Sequence, residues 1–306
     1  FKDFPKMEAE NLAVAETGSV VGGLELAKRI GSGGWGEVYS ARDLCTHEMR
    51  AVKAIKKERI RKCGDMAVLA NEIRVLSSLQ PHKHIVEFHG AIHAKECVFI
   101  CMELVGKCSL HHLAVSAGGS LHIKVALEFG RQLAKALRFL HGCGLAHRDV
   151  KPHNAVVNED ASLVKLVDFG LAISIEGVHQ GPCGTIPFIP PEVMGNERYD
   201  PAASDIWAWG VTLLEIACGI GKMKQALRWD SDAGPDEEHA QQLRDVFGNT
   251  RTVPRILQDA LSLGDKPPPS ALYGPIAAAL VVEPSRRLLP QSDHHSPAMS
   301  GREAAT

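Results

Sequence analysis

The chain alternates before it coils. From Leu24, apolar and polar residues take turns as they do in strands: LELAKRI (24–30), EVYSARD (37–43) and MRAVKAIKK (49–57). A helical period follows in DMAVLANEIRVLSSL, where Val68, Leu69, Ile73, Leu76 and Leu79 predict one apolar face. HIVEFHGAIH and CVFICMELV return to strand character. Residues 22–102 therefore predict a mainly β unit with one helix. After Gly106 the period changes. HIKVALEFGRQLAKALRFLHGCG predicts a long amphipathic helix stopped by glycines, and SDIWAWGVTLLEIACGI a strongly apolar one. EEHAQQLRDVF and PIAAALVV keep the helical bias, so the second unit, about 106–292, is mainly α. Residues 1–21 predict a loose leader or an extra helix. The polar, acidic stretch 221–236 predicts a surface insertion. The Ser-, His- and Pro-rich end predicts a fraying tail, and there are no internal repeats.

Composition narrows the class. The 306 residues are 45% hydrophobic, enough for one large or two small domains. A net charge of −2 gives no reason to expect nucleic acid. No signal peptide is present, and no apolar run reaches the ~18 residues of a membrane span. Eight cysteines (45, 63, 97, 101, 108, 143, 183 and 218) are scattered without a CxxC pair. They predict buried free thiols in a reducing compartment, hence an intracellular protein of the cytoplasm and/or nucleus. The fifteen histidines, clustered around 82–93 and at 111–112, predict structural or solvent-facing roles. The start at Phe1 suggests a fragment or an excised domain.

Four short segments carry chemistry. IGSGGWGEVYSAR fits G-x-G-x-x-G-x-V through Gly31, Gly33, Gly36 and Val38. Its glycines sit between two strands, unlike those of a dinucleotide fingerprint, which lead into a helix. Alone, this motif fits a plain glycine turn as well as a phosphate loop. In AVKAI, Lys53 stands mid-strand, and Glu72 lies on the following helix. A lysine held by such a glutamate can be aimed at nucleotide phosphates. In LAHRDVKPHNAVV, Asp149 can accept the proton of an attacking hydroxyl, Asn154 can offer an amide oxygen to Mg²⁺, and Lys151 can neutralise a phosphoryl group between them. In LVKLVDFGLA, Asp168 ends an apolar strand, where a carboxylate can bridge Mg²⁺ to phosphates.

In this order and spacing, with GTIPFIPPE (184–192) and DIWAWG (205–210), the residues resemble the eukaryotic protein kinase superfamily over roughly 22–292. The resemblance implies an α+β bilobal protein kinase fold, with a small mainly β N-lobe carrying one key helix and a larger mainly α C-lobe. It implies a serine/threonine protein kinase that uses ATP and Mg²⁺, with Mn²⁺ as a substitute. Implied partners are Ser/Thr-bearing protein substrates and a regulatory protein or upstream kinase. The implied catalytic residues are Asp149, Lys151, Lys53, Glu72 and Thr185, with Asn154 and Asp168 on the metal. The ATP site would comprise Ile30, Gly31, Gly33, Gly36, Val38, Ala51, Lys53, Met102, Glu103, Val105 and Val156. Arg148 would brace the activation segment, and Leu76, Phe88, His147 and Phe169 would stack between the lobes. Asp205 would anchor the catalytic loop, and Glu192 would pair with Arg287, with Arg286 as a competitor.

HRDVKPHN and Thr185 in CGTIPF select the Ser/Thr branch, and CGTIPFIPPE is similar to calcium/calmodulin- and checkpoint-type kinases. Pro190 replaces a usual alanine and is expected to be tolerated. His153 and Ser109 stand where basophilic kinases often carry acids, which weakens the case for upstream arginine. Only Ser174 and Thr185 bear hydroxyls between Asp168 and Glu192. Activation is therefore expected without segment phosphorylation, with Glu176 supplying negative charge near Arg148. The alternatives are a pseudokinase scaffold and a small-molecule phosphotransferase of related fold. The first usually lacks one of Lys53, Asp149 or Asn154; the second lacks the GTIPFIPPE and DIWAWG segments.

Overall fold

The computed structural model describes residues 16–33, 36–60, 63–229 and 234–291. Most of the leader, the fraying tail and part of the 221–236 stretch lie outside the described residues.

Period-two alternation builds the first layer. Strands Val20–Val21 (β1), Leu24–Gly33 (β2), Gly36–Asp43 (β3), Met49–Lys56 (β4), Phe88–His93 (β5) and Cys97–Glu103 (β6) form one antiparallel sheet in the order β1-β2-β3-β4-β6-β5. Val52 and Ala54 of β4 join Phe99 and Cys101 of β6 in a small core on one face. Ile55 of β4 with Ile100 and Met102 of β6 face the other way, into the main core, where they meet Leu69, Ile73 and Leu76 of helix Cys63–Ser78 (α1). β1 takes residues 20–21 out of the expected leader, because Val20 and Val21 pair with Glu25 and Leu24.

The second layer comprises Cys108–Ser109 (β7), Leu110–Ser116 (α2), Ile123–Gly142 (α3), Leu145–Ala146 (β8), Ala155–Val157 (β9), Val164–Leu166 (β10) and Ile173–Ser174 (β11). Pro191–Met194 (α4), Pro201–Cys218 (α5), Lys222–Leu227 (α6), Glu237–Phe247 (α7), Thr252–Ala260 (α8) and Ser270–Ala279 (α9) complete it. β10, β9 and β7 form a small sheet, and β11 pairs with β8. The bilobal α+β architecture matches the expectation.

α5 is the axis of this layer. Asp200 caps it by accepting the Ala202 N–H at 2.8 Å, and Pro201 occupies the first turn. Nearly every one of its residues is buried, as an apolar sequence without a polar stripe requires. Gly210 permits this closeness: a Cβ there would stand 2.7 Å from the Ala279 Cβ of α9.

Two expectations are corrected. The stretch 221–236 is not simply a surface insertion, because α6 sets Met223, Leu227 and then Trp229 into the main core. Nor are the thiols all buried: Cys45 and Cys143 are exposed, and Cys108 and Cys183 half-buried.

Arg287, not the exposed Arg286, pairs with Glu192, through two bonds of 2.6 and 2.8 Å. Its remaining donors reach the carbonyls of Val281, Ala203 and Val282, and its guanidinium lies over the Trp207 ring. Removing one partner of such a buried pair strands the other. Arg287→Met is expected to lower unfolding free energy by about 3–5 kcal/mol in a denaturant titration, with part of the loss restored by adding Glu192→Gln.

Candidate active site

The sheet alternation decides which way Lys53 faces. Its neighbours Val52 and Ala54 take the small core, so Lys53 turns to the α1 side. Its Nζ lies 2.8 Å from each carboxylate oxygen of Glu72 and 3.2 Å from Oδ1 of Asp168. Lys53 and Glu72 are 9% and 3% exposed, whereas the Asp168 side chain stays open to the cleft. Burial alone would depress the basicity of Lys53; the charges of Glu72 and Asp168 more than offset it and hold the ammonium above the ordinary lysine range. Burial likewise opposes ionisation of Asp168, and Lys53 outweighs it, keeping the carboxyl below its usual range.

Asp168 (φ 64°) and Arg148 (φ 64°) both occupy left-handed backbone, a strained choice that persists where surroundings enforce it. For Arg148 the enforcing group is Asp205, wholly buried on α5. Its carboxylate accepts the backbone N–H groups of His147 and Arg148 at 2.8 and 2.7 Å, and its Oδ2 lies 3.0 Å from the His141 ring nitrogen. The loop is thereby bent so that Asp149 enters the cleft. Thr185 donates to Asp149 Oδ1 at 2.8 Å and accepts from Lys151 at 2.7 Å. Lys151 also stands 2.8 Å from Asp149 Oδ2. Asn154 donates its amide N–H groups to the Asp149 carbonyl and carboxylate, which leaves its oxygen for a cation. Phe169 is fully buried against the His147 ring at 4.9 Å and shares the main core with Leu76 and Phe88.

Seven of these groups open onto one cavity of about 940 Å³: Lys53, Glu72, Asp149, Lys151, Asn154, Asp168 and Thr185. Ile30, Gly31, Gly36, Val38, Met102 and Val156 line it with them. Ala51, Glu103 and Val105 lie beside the cavity rather than on its wall. Ala51 pairs with Met102 across β4–β6. The Glu103 N–H is spent on the Glu87 carbonyl, and its carboxylate on Lys165 and the Glu87 N–H. Gly33 pairs with Gly36 at the tip of the β2–β3 hairpin.

Several contributors were invisible to motif reading. The Asn71 amide, one residue before Glu72, donates to the carbonyls of Gly170 and Ala172 at 3.2 and 2.7 Å and ties α1 to the turn after Asp168. Gly106 lies so close to β9 that a Cβ would stand 2.1 Å from the Val157 carbonyl oxygen. Glu215 of α5 and Lys224 of α6 line the far wall. The expected role of Glu176 is corrected. Glu176 is exposed and, among the described residues, forms no ion pair with Arg148. Arg148 donates instead to the Leu171 carbonyl at 2.8 Å and the Tyr199 hydroxyl at 3.2 Å. Tyr199 is held in turn by backbone pairing with His179.

A sheet layer thus lies over a helical layer, with an ion-paired lysine and a crowded carboxylate loop in the cleft between them. The Protein kinase domain family profile matches residues 24–262. The chain belongs to that family. It is similar to CBL-interacting protein kinase 20 of Oryza sativa subsp. japonica, 35% identical over 67% of this chain and 46% of the relative. CBL-interacting serine/threonine-protein kinase 7 of Arabidopsis thaliana is 36% identical over 65% and 47%. CBL-interacting protein kinase 16 of Oryza sativa subsp. japonica is 32% identical over 88% and 55%. The chain thus spans about half the length of the curated relatives it matches.

Gly36 offers a direct probe of the glycine loop. A Cβ there would meet the Ala54 carbonyl oxygen at 2.3 Å, forcing β3 away from β4. Gly36→Ala is expected to weaken nucleotide binding about tenfold in a fluorescence titration, the scale of one or two lost hydrogen bonds.

Proposed function

We propose that this chain is an active serine/threonine protein kinase, transferring the γ-phosphoryl of ATP to a Ser or Thr hydroxyl of protein substrates in a signalling role. The observation that carries the reading is the convergence of Lys53, Asp149, Lys151, Asn154 and Asp168 on one cavity, each already hydrogen-bonded in position. Phosphoryl transfer needs positioning and charge neutralisation more than covalent help, and these are the groups that supply both. Asp149 orients the acceptor hydroxyl and takes its proton. Thr185 and Lys151 hold its carboxylate, and Lys151 offsets charge on the moving phosphoryl group. Lys53, steadied by Glu72, holds the non-transferred phosphates. Ile30, Val38, Met102 and Val156 enclose adenine, and Gly31 and Gly36 cover the phosphates.

The donor set suits a hard cation. Asn154 and Asp168 offer oxygen, and among the described residues no cluster of three or more His, Cys, Asp and Glu could hold a metal unaided. That is the pattern for Mg²⁺, which is bound by one or two protein oxygens plus substrate phosphates, and Mn²⁺ fits the same donors. When bound, the cation neutralises phosphate charge.

We take the catalytic domain as about 22–292, since Arg287 closes onto Glu192 beyond the end of the family match. No helix among the described residues is long and apolar enough to cross a membrane, and we place the chain inside the cell, in cytoplasm and/or nucleus. Control by a protein partner or upstream kinase is in keeping with the relatives, whose names state interaction with CBL.

Labelled phosphate transfer from MgATP to a Ser/Thr/Tyr peptide array tests the reading. Asp149→Ala and Lys53→Met are each expected to lose at least about a hundredfold in rate, and chelation of the divalent cation to abolish transfer. Folded wild type no faster than these variants would overturn it. Activation without segment phosphorylation is tested separately. Ser174→Ala is expected to keep full activity. Tyr199→Phe is expected to lower kcat about tenfold at unchanged KM for ATP, the scale of a hydrogen bond to a charged group.

A further inference from the structure

Three successive carbonyls beyond Asp168 are each held by a side chain. Those of Gly170 and Ala172 accept from the amide nitrogen of Asn71, on α1, at 3.2 and 2.7 Å. That of Leu171, between them, accepts from Arg148 Nε at 2.8 Å. The segment 170–172 is therefore gripped from both layers, by α1 on the sheet side and by the loop of Asp149 on the helical side. Gly170 and Ala172 are buried, and a Cβ on Gly170 would stand 2.9 Å from Val68 Cγ1, so the segment packs tightly against α1. The Asn71 oxygen accepts from Arg74 Nη2 at 2.7 Å, which sets the amide's orientation, with the oxygen toward Arg74 and the N–H groups toward the carbonyls.

This grip is independent of what binds in the cleft. The side chain of Asp168 is held by the Lys53 ammonium at 3.2 Å. Nucleotide phosphates would draw that same ammonium, and a cation would take the Asp168 oxygens themselves. Either event loosens the Lys53–Asp168 contact. The backbone at Asp168 is left-handed, with φ 64°, a conformation that persists only where its surroundings enforce it. Phe169, fully buried, fixes the chain just after it. The Asn71 and Arg148 bonds supply the rest, and they use no group that nucleotide or cation consumes.

Resting on the kinase reading, we propose that Asn71 is a positioning residue for phosphoryl transfer: its grip on the carbonyls of Gly170 and Ala172 keeps Asp168 set for a nucleotide-bound divalent cation once Lys53 turns to the phosphates. The position calls for an amide. One nitrogen must donate to two carbonyls, which a carboxylate of the same shape cannot do and would repel. Without these donors two buried carbonyls lose a partner, and the chain beyond Asp168 relaxes and takes the carboxylate out of register. The position of α1 is thereby felt at Asp168 by a route that does not pass through the Lys53–Glu72 pair.

A fluorescent ADP analogue is titrated onto the protein with and without Mg²⁺, and the ratio of the two affinities is read. Asn71→Asp keeps the shape of the side chain and removes its donors; Asn71→Ala adds no charge and serves as the second variant. Both are expected to cut the Mg²⁺-dependent gain in affinity about tenfold, the scale of two neutral hydrogen bonds, and to leave binding without Mg²⁺ within about twofold of wild type. A role in packing alone would weaken binding equally with and without Mg²⁺. That result, or an unchanged ratio in either variant, would overturn the proposal, as would a wild type that gains nothing from Mg²⁺. Binding needs no transfer, so the two readings fail separately. If wild type binds the analogue more tightly with Mg²⁺ but moves no phosphate, the kinase reading falls alone, and loss of the Mg²⁺ gain in both variants still supports the positioning role.

Discussion

A charged lysine that water barely reaches is the constraint on which this structure turns. Left alone, the Lys53 ammonium would carry a desolvation penalty of several kcal/mol, and the fold meets it with two carboxylates rather than one. Glu72 must come from α1, so α1 has to pack with that face inward, which the apolar stripe of Leu69, Ile73 and Leu76 already favours. Asp168 must come from the segment after β10, so that segment has to enter the cleft and accept left-handed backbone at the aspartate. The same three-way contact that satisfies the lysine therefore fixes helix, sheet and loop relative to one another. Asn71 doubles the tie by holding the carbonyls just beyond Asp168. Removing Lys53 or Glu72 strands the other as a buried charge, whereas Asp168 stays open to the cleft.

A second buried charge does the equivalent work in the helical layer. Asp205 sits at zero exposure inside α5, a helix buried on nearly all sides. Because its partners are backbone N–H groups of the loop, it sets main-chain shape directly instead of through a flexible side chain. Arg148 then carries that shape outward, to Leu171 on one side and Tyr199 on the other. A neutral hydroxyl and a carbonyl meet the guanidinium within the fold itself. That explains how a segment with so few hydroxyls can be ordered, and why an exposed acid such as Glu176 is not drawn in.

What could be read from the chain follows from how each feature is encoded. Strand alternation, the α1 stripe and the α5 run are local periods, and they appear as predicted within a few residues. Lys53, Glu72, Asp149, Asn154 and Asp168 stand in short motifs whose order is itself informative, so their meeting in one cavity was legible before any coordinates. Asn71 was not, because an amide on a half-buried helix face has no local mark; its partners lie about a hundred residues away. Tyr199 escaped for the same reason. The 221–236 stretch misled because its acidic, glycine-bearing end dominated the average, hiding the spacing of Met223, Leu227 and Trp229 that seats α6.

The cleft is graded from its floor to its rim. At the floor every charged group is engaged by a partner inside the fold, and each is engaged more than once: Lys53 by two acids, Asp149 by three donors, Asp205 by two amides and a ring. Replacing any of them unbalances several others. At the rim the engagement is single and solvent-screened, as in the stacked imidazoles of His111 and His153 and the Lys107–Glu159 contact. His153 and Asn154 are neighbours in sequence, yet the first is exposed and the second 7% exposed and bonded to Asp149. One turn of chain thus spans both regimes. A side chain at position 153 can change without disturbing the amide beside it, because the one faces solvent and the other is held by Asp149.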